Sequence, residues 1–192
     1  MRIGVLALQG GYDSHVRALK CFPEVQVTLV RGEKELDWVE GLILPGGEST
    51  TIGKLLVIQD LWEPVKQRIA AGLPVFGTCA GMILLSREVM GSTQPVLGLL
   101  DVGVERNAYG RQVESFEAQV EISFGPERPD EKLPAVFIRA PRIVEMGPDV
   151  MVMANHEGSP VLVRQNNILA AAFHPELTDS LELHKYFLTQ VC

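Results

Sequence analysis

The stretch Gly77-Thr78-Cys79-Ala80-Gly81 sets one cysteine between two glycines, each two residues away. A nucleophile held out on a tight strand-to-helix turn needs small neighbours at those offsets, because the backbone is crowded there. At the first turn of the helix that follows, unpaired N–H groups and the positive end of the dipole favour a thiolate. The same N–H groups could hold a developing oxyanion. A free cysteine is also a common, inert filler of protein cores. Taken alone, the stretch leaves Cys79 open between packing and chemistry.

Phe173-His174-Pro175-Glu176-Leu177 supplies the second set of reactive groups, directly after an apolar run. In an extended segment residues i and i+2 point the same way, so His174 and Glu176 are expected on one face. A carboxylate beside an imidazole selects its tautomer and stabilises the imidazolium that forms when it takes a proton. The other histidines, His15, His156 and His184, have no such companion and read as structural. A third stretch, Pro45-Gly46-Gly47-Glu48-Ser49-Thr50, looks at first like a phosphate loop. Its spacing fails: five residues separate Gly47 from Gly53, and Leu55 stands where a Ser or Thr would hold magnesium. Adjacent glycines still let a backbone approach a ligand closely, although a plain turn would use them equally well.

These three stretches need elements to bring them together. The chain opens with IGVLAL, a strand pattern, followed by Gly10-Gly11 and a helical spacing of Val16, Leu19 and Phe22. VQVTLV, GLILP and PVFG are further short apolar runs, the last two of the kind buried on both faces of a parallel sheet. A helix is expected around Gln59 to Ala71 and another over roughly Ser180 to Gln190. From about residue 96 the character turns β-rich, with VEISF, AVFIRA, DVMVMA, PVLVR and ILAAAF. The expected fold is α/β: a mostly parallel sheet flanked by helices on both faces, with a small added antiparallel layer. Neither a repeat nor a linker divides residues 1–192, so one domain is expected. Cys79, His174 and Glu176 then fall at the carboxyl ends of strands, where a parallel sheet gathers its site.

Composition narrows the partners. The 192 residues carry a formal net charge of −7 without a Lys/Arg cluster, which argues against nucleic acid. The first residues form too short an apolar run for a signal peptide or membrane span, so a cytoplasmic protein is expected. Three cysteines, Cys21, Cys79 and Cys192, show no CxxC spacing, so neither a disulfide framework nor a metal site is expected.

GTCAGM and FHPE resemble the class I, triad-type glutamine amidotransferases, whose fold is flavodoxin-like. GVLALQG, LPGGESTTIGKLL, GTCAGMILL, RNAYGRQVESFE, FIRAP and FHPELT, spread over residues 4–178, are more specifically similar to the family of glutaminase subunits of pyridoxal phosphate synthases. The resemblance implies hydrolysis of L-glutamine to glutamate and ammonia, with ammonia passed to a synthase subunit in a large hetero-oligomer and no cofactor required. It implies Cys79 as nucleophile, His174 as acid-base and Glu176 as its orienting group. It maps a glutamine pocket onto Gly47, Glu48, Ser49, Arg106, Ile138 and Arg139, and oxyanion donors onto Gly47 and Ala80. The two arginines suit a free carboxylate through their planar fork.

One departure stands out. The family commonly has a pattern like QGAFxEH after the first strand, whereas this chain has QGGYDSH, with Ser14 at the usual glutamate position. That segment is expected to face the synthase. The Gly46–Gly47 peptide is the expected point of control, turning its donor inward when the partner docks. Two other readings share part of the pattern. A glutaminase serving a different pathway would carry the same triad, and a related cysteine hydrolase would share only the GxCxG turn.

Overall fold

Short apolar runs near the amino terminus become parallel strands because each is followed by a segment that crosses back over the sheet. The computed structural model describes residues 1–106, 115–126 and 128–192. In chain order the elements are β1 (Arg2–Leu6), α1 (Tyr12–Leu19), β2 (Gln26–Val30), α2 (Glu33–Trp38), β3 (Gly41–Leu44), α3 (Ser49–Ile58), α4 (Trp62–Ala70), β4 (Val75–Thr78) and α5 (Ala80–Leu85). There follow β5 (Ser86–Val89), β6 (Leu100–Glu105), β7 (Ser115–Ile122), β8 (Glu131–Ile138), β9 (Arg142–Met146), β10 (Met151–His156), β11 (Ser159–Gln165) and β12 (Ile168–Ala171). A 3-10 turn (Pro175–Leu177) and α6 (Glu182–Tyr186), which runs into a π turn (Phe187–Val191), close the chain.

The main sheet has the order β2-β1-β3-β4-β12-β11-β10-β7-β8. Its first five strands are parallel and the rest join antiparallel. The parallel part has the flavodoxin-like order, whose ligand crevice lies outside the carboxyl ends of the strands where the winding reverses, here between β1 and β3. A separate small sheet runs β5-β6-β9, with β5 and β6 parallel and β9 antiparallel. The expected architecture is therefore observed, with the added layer mixed rather than wholly antiparallel.

Every residue of β3, β4 and β12 is buried, as strands covered on both faces require. Alternation along β4 shows what covers each face. Phe76 meets the rings of His15 on α1, His184 on α6 and Phe187. Gly77 faces α5 instead, with Gly81 and Leu85 lying over it. Asn167 ties α4 to the sheet, its amide donating to the carbonyls of Ile69 at 3.0 Å and Leu73 at 2.8 Å.

Two helix boundaries differ from the sequence reading. The helix expected from Gln59 starts at Trp62, because Asp60 takes a left-handed backbone with φ of 54° and breaks it from α3. The last helix is α-helical only over Glu182–Tyr186 before it loosens into the π turn. Among the described residues, no helix is long and apolar enough to cross a membrane.

Candidate active site

The turn after β4 is held by two opposite constraints. On one side Ala171 of β12 accepts a hydrogen bond from the Cys79 N–H at 2.8 Å, which keeps the cysteine in register with the sheet. On the other, the Cys79 carbonyl accepts from the Ile83 N–H at 3.1 Å, so α5 starts from the cysteine itself. Meeting both demands bends Cys79 to φ 48° and ψ −100°, an unfavourable backbone that costs about 1–3 kcal/mol and survives only where its surroundings enforce it. The flanking glycines make this possible. A Cβ on Gly77 would sit 2.8 Å from the Gly81 carbonyl carbon, and one on Gly81 would run into the Leu44 carbonyl oxygen. The GxCxG spacing is thus a packing requirement of a short helix laid on β3 and β4.

His174 follows β12, the neighbour of β4, so the sheet places it beside Cys79. Its N–H donates to the Val136 carbonyl of β8 at 2.8 Å, while the Cys79 thiol lies 3.8 Å from the carbonyl oxygen of Ile138 on the same strand. The imidazole Nδ1 meets Glu176 Oε1 at 2.7 Å. The pair was expected along an extended segment. Instead Pro175–Leu177 forms a 3-10 turn, and the carboxylate folds back onto its own histidine. Burial alone would lower the His174 pKa; hydrogen bonds to the Cys79 sulfur and Glu176, with their charges, overcome it and push it up to about 10. Burial likewise opposes ionisation of Glu176, yet the adjacent His15 and His174 hold its carboxyl well below the usual range. This arrangement favours an imidazolium between a sulfur and a carboxylate.

The glycine loop after β3 forms the facing wall. The Gly46 N–H donates to Thr78 Oγ1 at 3.1 Å, and its carbonyl accepts from the Gly11 N–H at 2.9 Å. The described residues contain no cis peptide bond, so the Gly47 N–H points away from Gly11. A Cβ on Gly46 would strike the His174 ring, and one on Gly47 would lie 2.6 Å from Gln9 Oε1. Both glycines are thus required by close approach.

Glu48 uses its carboxylate locally. Oε2 caps α3, accepting from the Thr51 N–H and hydroxyl, both at 2.8 Å, and from the Thr50 hydroxyl. Partial burial would raise its pKa; these hydroxyl and amide donors outweigh that and lower it to about 2. Oε1 accepts from Arg106 at 2.9 Å, and the same guanidinium reaches Gln94 at 2.9 Å. Arg106 is thereby held by its own chain. Arg139 makes no salt bridge among the described residues, and its φ of 43° turns it out of β8. The RNAYGRQ stretch beyond Arg106, residues 107–112, lies outside the described residues.

Cys79, His174, Glu176, Gly47, Glu48, Ser49, Arg106, Ile138 and Arg139 line one cavity of about 350 Å³. Ala80 is buried at the start of α5, directly after Cys79. The sequence reading missed Gln9 and Gly11, which line the cavity too and brace the glycine loop. Their signal was the Gln-Gly-Gly turn at the end of β1, the strand beside β3 at the winding reversal. Ser14 is buried and accepts a hydrogen bond from Arg17 at 2.8 Å, so its hydroxyl is engaged within α1. Among the described residues no group of His, Cys, Asp or Glu is placed to hold a metal ion.

Comparison with known proteins bears on this geometry. Residues 5–192 match the SNO glutamine amidotransferase family. A protein of Carboxydothermus hydrogenoformans named pyridoxal 5'-phosphate synthase subunit PdxT is 52% identical over 192 residues, covering 100% of this chain and 98% of its own. One of the same name from Thermotoga maritima is 53% identical over 191 residues, covering 100% of both. A crystal structure described as a glutamine amidotransferase superposes with a TM-score of 0.88 at 47% identity, over 97% of this chain and 96% of that one. The PurLQS structure from Thermotoga maritima, at 18% identity and a TM-score of 0.70 over 99% and 96% of the two chains, shares the fold.

Proposed function

The chain belongs to the SNO glutamine amidotransferase family, and from that membership we propose that it is the glutaminase subunit of a pyridoxal 5'-phosphate synthase. It hydrolyses the side-chain amide of L-glutamine to L-glutamate and ammonia and passes the ammonia to a synthase subunit within a large hetero-oligomer. The observation that carries the reading is the single cavity in which the strained Cys79 meets the His174–Glu176 pair. Full-length relatives named as synthase subunits support the choice of partner. The reading implies a cytoplasmic enzyme, where a lone nucleophilic thiol stays reduced.

In this mechanism the Cys79 thiolate attacks the side-chain carbonyl carbon of glutamine, and the oxygen becomes an oxyanion. Backbone N–H groups of Ala80 and Gly47 receive it; one such donor is worth about a hundred- to a thousandfold in rate. The His174 imidazolium gives its proton to the departing nitrogen, ammonia leaves, and a γ-glutamyl thioester remains on Cys79. Neutral His174 then takes a proton from water, which attacks the thioester and releases glutamate. Glu176 keeps the Nδ1–H in place throughout, so Nε2 does the proton transfer. Gly47, Glu48, Ser49 and Ile138 shape the pocket. Arg139 is the cation placed for the α-carboxylate of the substrate, and Arg106 acts on the pocket through Glu48.

Control rests on the Gly46–Gly47 peptide, whose carbonyl is engaged by Gly11; docking of the synthase sets its donor for the oxyanion. The test measures ammonia release from glutamine by the purified chain with and without the synthase subunit. Turnover dependent on the synthase is expected. Cys79→Ala should abolish it while glutamine still binds. Equal rates with and without the partner overturn the control, and undiminished release by the Ala variant overturns the nucleophile.

A further inference from the structure

Behind the His174–Glu176 pair lie two more histidines that the mechanism above does not use. His15 on α1 and His184 on α6 are both fully buried. His15 Nε2 lies 3.5 Å from Glu176 Oε1, the same oxygen that holds His174, and 3.1 Å from Thr78 Oγ1. His15 Nδ1 meets His184 Nε2 at 3.0 Å. Phe76 packs edge-on against both rings, at centroid distances of 6.4 and 6.0 Å, so neither ring is free to turn.

The hydrogens can be assigned from the partners. A carboxylate only accepts, so the proton facing Glu176 sits on His15 Nε2, which Thr78 Oγ1 shares. Neutral His15 then presents Nδ1 as an acceptor, and the His184 Nε2–H fills it. His184 Nδ1 is buried with no partner among the described residues, as suits a bare lone pair better than an orphaned N–H. Burial lowers the His184 pKa to about 3, so His184 stays neutral over the working range. Glu176 Oε2 also has no partner among the described residues, which leaves the carboxylate positioned through Oε1 alone, by the two histidines. Thr78 Oγ1 meanwhile accepts the Gly46 N–H at 3.1 Å. One N–H of His15 therefore faces both walls of the site: the carboxylate that orients the acid-base, and the hydroxyl that anchors the glycine loop.

We propose that His15 is a positioning residue of the glutaminase site, holding Glu176 directly and the Gly46–Gly47 loop through Thr78, with His184 fixing its tautomer. This rests on the glutaminase reading above, and two isosteric replacements separate it from mere packing. His15→Gln sets an amide nitrogen near the place of Nε2, whereas His15→Asn sets one near Nδ1 and leaves Glu176 and Thr78 without their donor. With the synthase subunit present, the Asn variant should lose about ten- to a hundredfold in kcat with little change in KM, on the scale of losses when an outer hydrogen-bond partner of a metal-ligating histidine is removed. The Gln variant should stay within a few-fold of wild type. In the chain without its partner, iodoacetamide labelling of Cys79, followed by peptide mapping, should show a pH profile that changes for Asn and not for Gln.

Equal losses in both variants that track their melting temperatures, or an Asn variant with wild-type kcat and labelling profile, overturn the proposal. If neither variant folds, Thr78→Val against Thr78→Ser carries the test, and a Val variant with wild-type kcat overturns it. A wild-type complex that releases no ammonia would instead refute the glutaminase reading, with the labelling profiles still reporting on His15.

Discussion

Replacing Gly81 by alanine probes the packing that creates the Cys79 turn. Its Cβ would lie 2.9 Å from the Leu44 carbonyl carbon and 3.0 Å from Leu44 Cβ, besides striking the carbonyl oxygen. Carbon atoms rest about 3.5–4.0 Å apart, so the start of α5 must retreat from β3 by about 0.5–1 Å. The obstacle is the backbone of a buried central strand, and no side-chain rotation relieves it. Overpacking of this kind costs about 1–3 kcal/mol, or about 2–12 °C in Tm for a chain of this length. The retreat also carries Cys79 away from His174, and a displacement near 1 Å costs about a hundredfold in rate. Gly53→Ala is the matched control. There the added Cβ, at a position inside α3, finds Leu84 of α5 at 3.6 Å and Trp62 of α4 at 3.7 Å, ordinary contacts, so a gain of about 0.5–1 kcal/mol is expected. Thermal melts and glutamine turnover with the synthase subunit measure both effects. A Gly81→Ala variant with native Tm and kcat would refute the account of the turn, as would a Gly53→Ala variant that loses as much as Gly81→Ala does.

Glu48→Ala removes the cap of α3 and the partner of Arg106 together. A loss of about 0.5–2 kcal/mol in urea unfolding is expected, with KM for glutamine rising more than kcat falls; an unchanged KM would remove Glu48 from the pocket. Stability should also follow the His174–Glu176 pair. The raised His174 pKa contributes stability fully below its unfolded value of 6.5, lost as pH rises toward about 10. The lowered Glu176 pKa contributes stability above its unfolded value of 4.5, lost as pH falls below it. On the pair alone urea midpoints should be highest between pH 4.5 and 6.5, the lowered pKa of His184 tilting that window towards its upper end, and Glu176→Gln should flatten both flanks. An unaltered pH profile in that variant would show that the pair does not govern it.

The parallel strands were legible because short apolar runs ended by Pro or Gly have few other readings, and β3, β4 and β12 appear where those runs lie. The small sheet was not: β5 follows α5 without an intervening turn, and β5, β6 and β9 mix charged and apolar residues, so none of them shows an unbroken apolar run. The pairing of His174 with Glu176 was visible in FHPE, whereas its form, a 3-10 turn in place of a strand, depends on contacts with β8 that local sequence does not encode. His15 and His184 were read as structural because each is solitary along the chain. They lie 169 residues apart and meet only when α1 and α6 pack on the same face of β4. Glu48 shows the reverse case: the sequence marked it for the pocket, and its carboxylate is largely used in capping the helix that forms the wall.

The register of β4 with β12, Val75 beside Ile168 and Thr78 beside Ala171, also orders events in time. A chain emerging from the ribosome delivers its amino-terminal strands first. Cys79 is synthesised early, and β1 to β4 can pair among themselves. The strand that leads to His174 comes later and must insert beside β4 across α5 and strands β5 to β11, the kind of distant pairing that forms slowly. Until it does, the Cys79 thiol lacks His174, its proton-transfer partner in the proposed mechanism, and the carbonyl of Ala171 that holds the turn. On that mechanism a chain not yet extended to His174 is inactive, and a segment made later arms one made earlier.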